Sequence, residues 1–172
     1  MREAGCFAPI LGRDRQRGAE VRAALEASEA GPLTFIEALD YAEGLSRSLI
    51  AGIHHALTLP LDGLLIALAD MPLVGAEDLR ALAAAFDPAA GRAVIVPTVS
   101  GQRGNPTLWA RDLLPEMLAL TGDQGAKRLM DRFTDRLFEL PRENPGLLAD
   151  LDTPEAYRIA LASLRLSLGD TK

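Results

Sequence analysis

The stretch Gly63-Leu64-Leu65-Ile66-Ala67-Leu68-Ala69-Asp70-Met71-Pro72 decides how this chain is read. Its apolar run carries no polar residues at helical spacing, which predicts a strand buried on both faces. The run ends in Asp70. Met71-Pro72 does not carry it into a helix, because proline biases the residue before it away from the α region. An aspartate at the carboxyl end of a buried strand stands where open α/β sheets bind their ligands. A turn aspartate capping a helix over 76–86 accounts for the same residues, and this stretch alone leaves both readings open.

Working outward, other apolar runs alternate with helical patterns. Phe7–Leu11, closed by Gly12, and Leu33–Ile36, after the breaker Gly31-Pro32, predict short strands. Arg17–Ala27 predicts a helix between them. Leu45, Leu49, Ile50, Ile53 and Leu57 recur at three and four, the mark of an amphipathic helix. Glu77–Phe86 predicts a helix with Leu79, Leu82 and Phe86 inward. Ala93–Pro97 predicts a buried strand, and Thr107–Trp109 a short one with Trp109 in the core. Helices are expected near 111–120 and 125–133, an edge strand at Arg136–Leu140, and a last helix over 154–167. In that last helix Thr153 serves as N-cap and Pro154 as the first helical residue. Strands alternating with helices predict an α/β three-layer domain with a mostly parallel sheet. With no repeat or linker, residues 1–172 are expected to form one domain.

Bulk composition sets the class. At 172 residues the chain can bury a real core, and 48% hydrophobic with 24% charged residues is ordinary for a soluble domain. A net charge of −6, from 18 basic and 24 acidic residues, argues against a general nucleic-acid binder. It leaves room for a small anionic substrate held by local cations. A single cysteine, Cys6, permits no internal disulfide and suits a reducing cytoplasm. No segment reaches the ~18 consecutive apolar residues of a membrane span, and Met1–Gly5 lack the apolar run of a signal peptide. A cytoplasmic protein with no membrane partner is expected.

Several stretches could carry chemistry. Asp70 and the pair Asp150/Asp152 are acidic residues beside buried elements, and carboxylates brought together suit a hard cation such as Mg²⁺. Asp152 is equally a helix-entry residue, and Asp150 a solvated one. Gly44-Leu45-Ser46-Arg47-Ser48 opens a helix with free N–H groups suited to a nucleotide, or is an ordinary cap. Gly101-Gln102-Arg103-Gly104-Asn105-Pro106 offers two glycines for close backbone approach and directional donors at Arg103 and Asn105. A hairpin turn fits it as well. Lys127 and Arg128 lie in the first turns of a helix, where an anionic partner would offset the unfavourable dipole. His54 and His55 have no partner at metal spacing and read as surface or packing residues. Cys6 reads as an inert thiol. There is no Walker loop, Rossmann fingerprint or Gly-x-Ser-x-Gly elbow.

Taken in order, five segments resemble one family: Tyr41–Leu49, Leu68–Val74, Gly101–Pro106, Gly122–Lys127 and Asp150–Glu155. They are similar to the MobA-like nucleotidyltransferases, in the branch that contains molybdenum cofactor cytidylyltransferase. The resemblance implies a Rossmann-like nucleotidyltransferase fold of the nucleotide-diphospho-sugar transferase type. It implies transfer of a nucleoside monophosphate, CMP from CTP, to a phosphate-bearing acceptor such as molybdopterin, with release of pyrophosphate. Asp70 and Asp152 then become catalytic Mg²⁺ ligands, Gly44 and Ser48 nucleotide-binding residues, and Arg103 and Asn105 acceptor-side residues. A molybdoenzyme is an implied partner.

The family's opening strand and glycine-rich loop, of the form Leu-Ala-Ala-Gly-x-Ser-x-Arg-Met-Gly, is not found in this sequence. Phe7–Leu11 match the family's second strand instead. The reading is therefore of a domain without its first β-α unit, and of a weak or inactive catalyst, since that loop supplies the triphosphate's backbone donors. The alternative is a catalytically inactive nucleotide- or cofactor-binding module, or a molybdoenzyme maturation partner.

Overall fold

In the computed structural model, which describes residues 6–10, 20, 23–24, 26–27, 33–38, 45–68, 70–122, 126–149, 155 and 158, the first two apolar runs pair with each other. Strand β1 (Cys6–Ile10) lies parallel to β2 (Leu33–Glu37), with Cys6 opposite Leu33 and Ile10 opposite Glu37. Of the helix expected between them, Glu20, Ala23, Ala24 and Glu26 are helical. The last helix, expected over 154–167, lies outside the described residues except for Glu155 and Arg158, which are helical. The chain forms two compact units, residues 1–62 with 111–131 and residues 63–110 with 132–172.

The first unit is organised by helix α1 (Leu45–Leu57). Its apolar periodicity places Ile53 and Ala56 fully inside. Its carboxyl end is closed by three devices that satisfy the orphan carbonyls of a helix terminus. Thr58 Oγ1 donates to His55 O at 2.7 Å. The Thr58 and Leu59 N–H groups donate back to His55 O and Ala56 O. Arg111 donates through Nη2 to Leu57 O at 2.7 Å and through Nη1 to Leu59 O, while its backbone N–H reaches Asp62 O at 3.0 Å. Arg111→Ala is expected to lower stability by about 1.5–3 kcal/mol, the range for hydrogen bonds to a charged group. A far-UV circular dichroism melt reads this directly; an unchanged midpoint would show that the clamp is dispensable.

The helix expected over 111–120 is instead a 3-10 turn, Arg111–Leu113, followed by one α-helical turn, α3 (Leu114–Met117). Pro115 is the reason: without an N–H it cannot donate to the carbonyl of residue 111, so a continuous helix is interrupted. Leu118 and Leu120 accordingly bond three residues back, to Pro115 O and Met117 O. Leu113, Leu114 and Met117 are buried. The segment expected as a helix over 125–133 is a 3-10 run, Ala126–Arg132.

The second unit is a sheet with helix α2 (Ala76–Ala85) between its first two strands in sequence. Strand β4 (Val94–Val99) pairs in parallel with β7 (Leu137–Pro141) and antiparallel with β5 (Gln102–Arg103) and β6 (Thr107–Ala110). Strand β3 (Gly63–Ile66) pairs antiparallel with β6. The α/β reading holds, and the expectation of a mostly parallel sheet is refined to a mixed one in this unit. Its cause is local: a two-residue turn at Ser100-Gly101 reverses the chain after β4, and strands joined without a crossover helix must run antiparallel.

One expectation is corrected. β3 is half-buried along its whole length rather than buried on both faces, because among the described strands only β6 flanks it. The doubly buried strand is β4, flanked by β6 and β7, with Val94, Ile95 and Val96 at 0% exposure. Leu82, Ile95 and Leu108 form the core between α2 and the sheet, with Leu65, Ala85, Phe86 and Leu140 packed on it. Leu79, expected inward, is 36% exposed, and Asp78 is buried in its place. The inward stripe of α2 runs 78, 82, 85, the i, i+4, i+7 spacing of one helical face. Trp109 belongs to the core, as its sequence context predicts. It is fully buried, donates from Nε1 to Thr107 Oγ1 at 3.0 Å, and meets the Phe133 ring edge-on at 6.3 Å.

Candidate functional site

Asp70 follows the carboxyl end of β3, in the turn that leads to α2, and is half-buried. It does not cap that helix. The N-cap is Gly75, and Asp78 reaches back from the first turn to accept from Gly75 N at 3.4 Å. The structural alternative left open by the sequence is thereby removed. No hydrogen bond or ion pair engages the Asp70 carboxylate among the described residues. A half-buried carboxylate without donors retains its full capacity to accept from a ligand or to bind a cation.

The turn beyond Asp70 is anchored. Met71 is buried, and its carbonyl accepts from Val74 N at 3.3 Å. Leu73 O accepts from Asn144 Nδ2 at 3.0 Å. The same Nδ2 donates to Asp78 Oδ2 at 2.7 Å, and Asn144 Oδ1 accepts from Gly146 N at 2.9 Å. Asp78 Oδ1 accepts from Arg142 Nε at 3.1 Å and Nη2 at 3.0 Å. Glu77, more exposed, lies 3.5 Å from the same guanidinium. A cleft of about 540 Å³ runs alongside, lined by Leu73, Glu77, Asp78, Arg142, Glu143 and Asn144 among others. Three carboxylates against one guanidinium do not suit a phosphate, and the polar groups that reach into it are largely committed to one another.

The loop 100–106 is a hairpin at its tip. Ser100 at φ 51° and Gly101 at φ 80° form the two-residue turn, with Val99 opposite Gln102, the conformation such hairpins require. Gly104 serves close approach, though to protein: a Cβ there would lie 2.3 Å from Leu147 O. Gly104 N donates to Pro97 O and Asn105 N to Leu147 O, at 2.8 and 2.9 Å. Asn105 is half-buried and precedes a cis peptide bond to Pro106. Arg103 donates from Nε to Glu139 Oε1 at 2.8 Å, both side chains being more than a third exposed. A pair that exposed contributes at most about 1 kcal/mol.

Ser48 belongs to the first unit, in the opening turns of α1. Ser46 and Ser48 are 0% and 1% exposed, and their hydroxyls are the buried side-chain polar atoms without a partner among the described residues. A buried hydroxyl left unpaired costs about 1–3 kcal/mol, which asks for a reason. Gly44 and Asp152 lie outside the described residues. Of the expected site, Asp70, Arg103 and Asn105 therefore fall in the second unit, and the loops carrying Asp70 and Asn105 are both tied to the segment Asn144–Leu147. Sequence reasoning missed Asp78, Arg142, Asn144 and Gly146. The available signals were a buried-stripe aspartate in the first turn of α2 and the Asn-Pro-Gly turn, but nothing local joins positions 66 residues apart.

A divalent cation fits the donor set in part. Asp70 offers one hard oxygen ligand free of competing donors, and Mg²⁺-type sites commonly take one or two protein carboxylates together with waters and substrate phosphates. No group of three or more His, Cys, Asp or Glu side chains suited to a metal occurs among the described residues. No helix among them is long and apolar enough to cross a membrane.

The sheet and helices that carry Asp70 have the Rossmann-like nucleotidyltransferase fold. The profile of the MobA-like NTP transferase domain matches residues 10–137, and the chain belongs to that family. It is 31% identical over 121 residues to the purine catabolism protein PucB of Bacillus subtilis (strain 168), a match covering 69% of this chain and 56% of PucB. The chain thus spans little more than half the length of that curated relative. Its fold is similar to a nucleotidyl transferase from Methanothermobacter thermautotroptrophicus, with a TM-score of 0.72 at 24% identity over 94% of this chain and 74% of the other. It is also similar to Rv0371C from Mycobacterium tuberculosis H37Rv, solved in complex with manganese, with a TM-score of 0.65 at 22% identity over 91% and 76%.

Proposed function

We propose that this protein is a divalent-metal-dependent nucleotidyltransferase that moves CMP from CTP to the terminal phosphate of a molybdopterin-type acceptor. The observation that carries the reading is the Asp70 carboxylate, free of donors at the carboxyl end of β3 in a MobA-like NTP transferase domain. An acceptor phosphate oxygen attacks the α-phosphorus of CTP, the bond to the α–β bridging oxygen breaks, and pyrophosphate leaves. Such a transfer needs positioning and charge neutralisation more than a protein acid or base. Asp70, with Asp152 as second ligand, would hold Mg²⁺, which supplies the neutralising charge when bound. The manganese bound by Rv0371C supports a divalent cation in this fold.

Gly44 and Ser48 take the nucleotide. The buried, unpartnered hydroxyl of Ser48 supports that role, because a ligand group would satisfy it. Arg103 and Asn105 take the acceptor. Arg103 is a cation at the surface, and its half-exposed pair with Glu139 is weak, which supports a role toward an acceptor phosphate. In this reading residues 1–172 form one domain without the family's glycine-rich loop, a weak catalyst that acts in the cytoplasm and hands its product to a molybdoenzyme.

The test is pyrophosphate release by the purified protein with molybdopterin and Mg²⁺, comparing CTP with GTP. Because the sequence carries no Leu-Ala-Ala-Gly-type loop to supply the triphosphate's backbone donors, weak release is expected, needing both Mg²⁺ and acceptor and favouring CTP. A preference for GTP would replace the nucleotide assignment, and release independent of divalent cation would remove the metal role.

A further inference from the structure

The network of Asp78, Arg142 and Asn144 takes no part in the chemistry above, yet it is built with unusual economy. Asn144 uses both amide hydrogens and its carbonyl at once, bonding Leu73 O, Asp78 Oδ2 and Gly146 N at 3.0, 2.7 and 2.9 Å. Asp78, 5% exposed, spends its other oxygen on Arg142. Packing reinforces the bond to Leu73: a Cβ on Gly146 would lie 2.4 Å from Leu73 Cβ. Leu73 follows Asp70 by three residues in the same turn, so its carbonyl is a point from which the carboxylate's position can be set.

We propose that Asn144 is a positioning residue that, seated on Asp78 and backed by Gly146, fixes the turn bearing Asp70 in a cation-binding geometry. The proposal rests on the reading of Asp70 as a metal ligand. Partners that orient a ligand without touching the metal commonly govern affinity by roughly 10–100-fold. Removing the Asn144 carboxamide leaves Leu73 O without its donor and frees the turn. The pair Asp78–Arg142 remains, so the loss is one of placement before it is one of fold.

The experiment is Mn²⁺ binding, read by electron paramagnetic resonance of the free ion, for the parent protein and four variants, with melting temperatures alongside. Asn144→Ala is expected to raise the Mn²⁺ Kd about tenfold. Gly146→Ala keeps the carboxamide but sets a Cβ 2.4 Å from Leu73 Cβ and 2.9 Å from Asn144 Oδ1, disturbing the same latch; it is expected to raise Kd in the same direction and decides the matter if Asn144→Ala does not fold. Arg92→Ala is the structural control. Its Nε donates to Ala85 O at 2.8 Å, at the far end of α2, so it should lower the melting temperature and leave Kd within about twofold. A folded Asn144→Ala with the parental Kd overturns the positioning role, as does an Arg92→Ala variant that weakens Mn²⁺ equally. Asp70→Asn separates the two layers. A parental Kd in that variant, or a parent that binds no Mn²⁺, overturns the metal reading itself. Mn²⁺ binding abolished by Asp70→Asn but untouched by Asn144→Ala overturns the positioning proposal alone.

Discussion

Asp70→Asn is expected to slow nucleotidyl transfer on the order of a hundredfold or more while leaving the melting temperature unchanged. The two halves of this prediction have separate grounds. The rate falls because an amide is a neutral, weaker oxygen ligand, and removing a group that stabilises developing charge typically costs a few kcal/mol of barrier. The fold persists because the carboxylate makes no hydrogen bond or ion pair among the described residues, and because the cap of α2 is Gly75 with Asp78. A rate loss accompanied by a large stability loss would mean that Asp70 is a structural residue after all. Rates with saturating substrates, beside a thermal melt of the same sample, check both halves.

Trp109→Ala is expected to have the largest effect on stability, about 3–5 kcal/mol. Trp109 is fully buried at the centre of the second unit, opposite Leu64 on β3 and Val94 on β4, with its ring against Phe133. Its Nε1–H is satisfied by Thr107 Oγ1, so truncation leaves a cavity and also strips a hydroxyl of its donor. Domains of this size are stable by only about 5–15 kcal/mol, so the variant should unfold at markedly lower urea. Trp109 is the chain's single tryptophan, so the midpoint of this variant is read by circular dichroism. Fluorescence of Trp109 serves for every other variant. A shift below about 1 kcal/mol would show that the core is not organised around this side chain.

Much of the fold was legible because it is written in local periodicity. The three-and-four spacing of α1, the apolar run of β4 and the short stretch Thr107–Trp109 each report burial directly. The hairpin at Ser100-Gly101 was visible as one of two readings of its loop. What periodicity cannot carry is which strand lies beside which. Gly63–Leu68 reads as doubly buried from its own residues, yet β3 is half-buried because burial of a strand depends on its neighbours. Leu82 in α2 and Phe86 at its end pack inward as their spacing predicts, but Asp78 is buried where Leu79 was expected, since its carboxylate is held by Arg142 and Asn144, far along the chain. The candidate site divides in the same way. Asp70 is marked by its own surroundings, a strand end followed by Met-Pro. The latch that holds its turn joins residues whose relation exists only in three dimensions.

Transfer of label from [α-³²P]CTP tests the central claim most directly. Incubated with Mg²⁺ and molybdopterin, the protein should slowly place the label on the acceptor, release unlabelled pyrophosphate, and do neither when Asp70 is replaced by asparagine. Label that appears only as free CMP, or transfer that survives Asp70→Asn at the parental rate, would contradict the account.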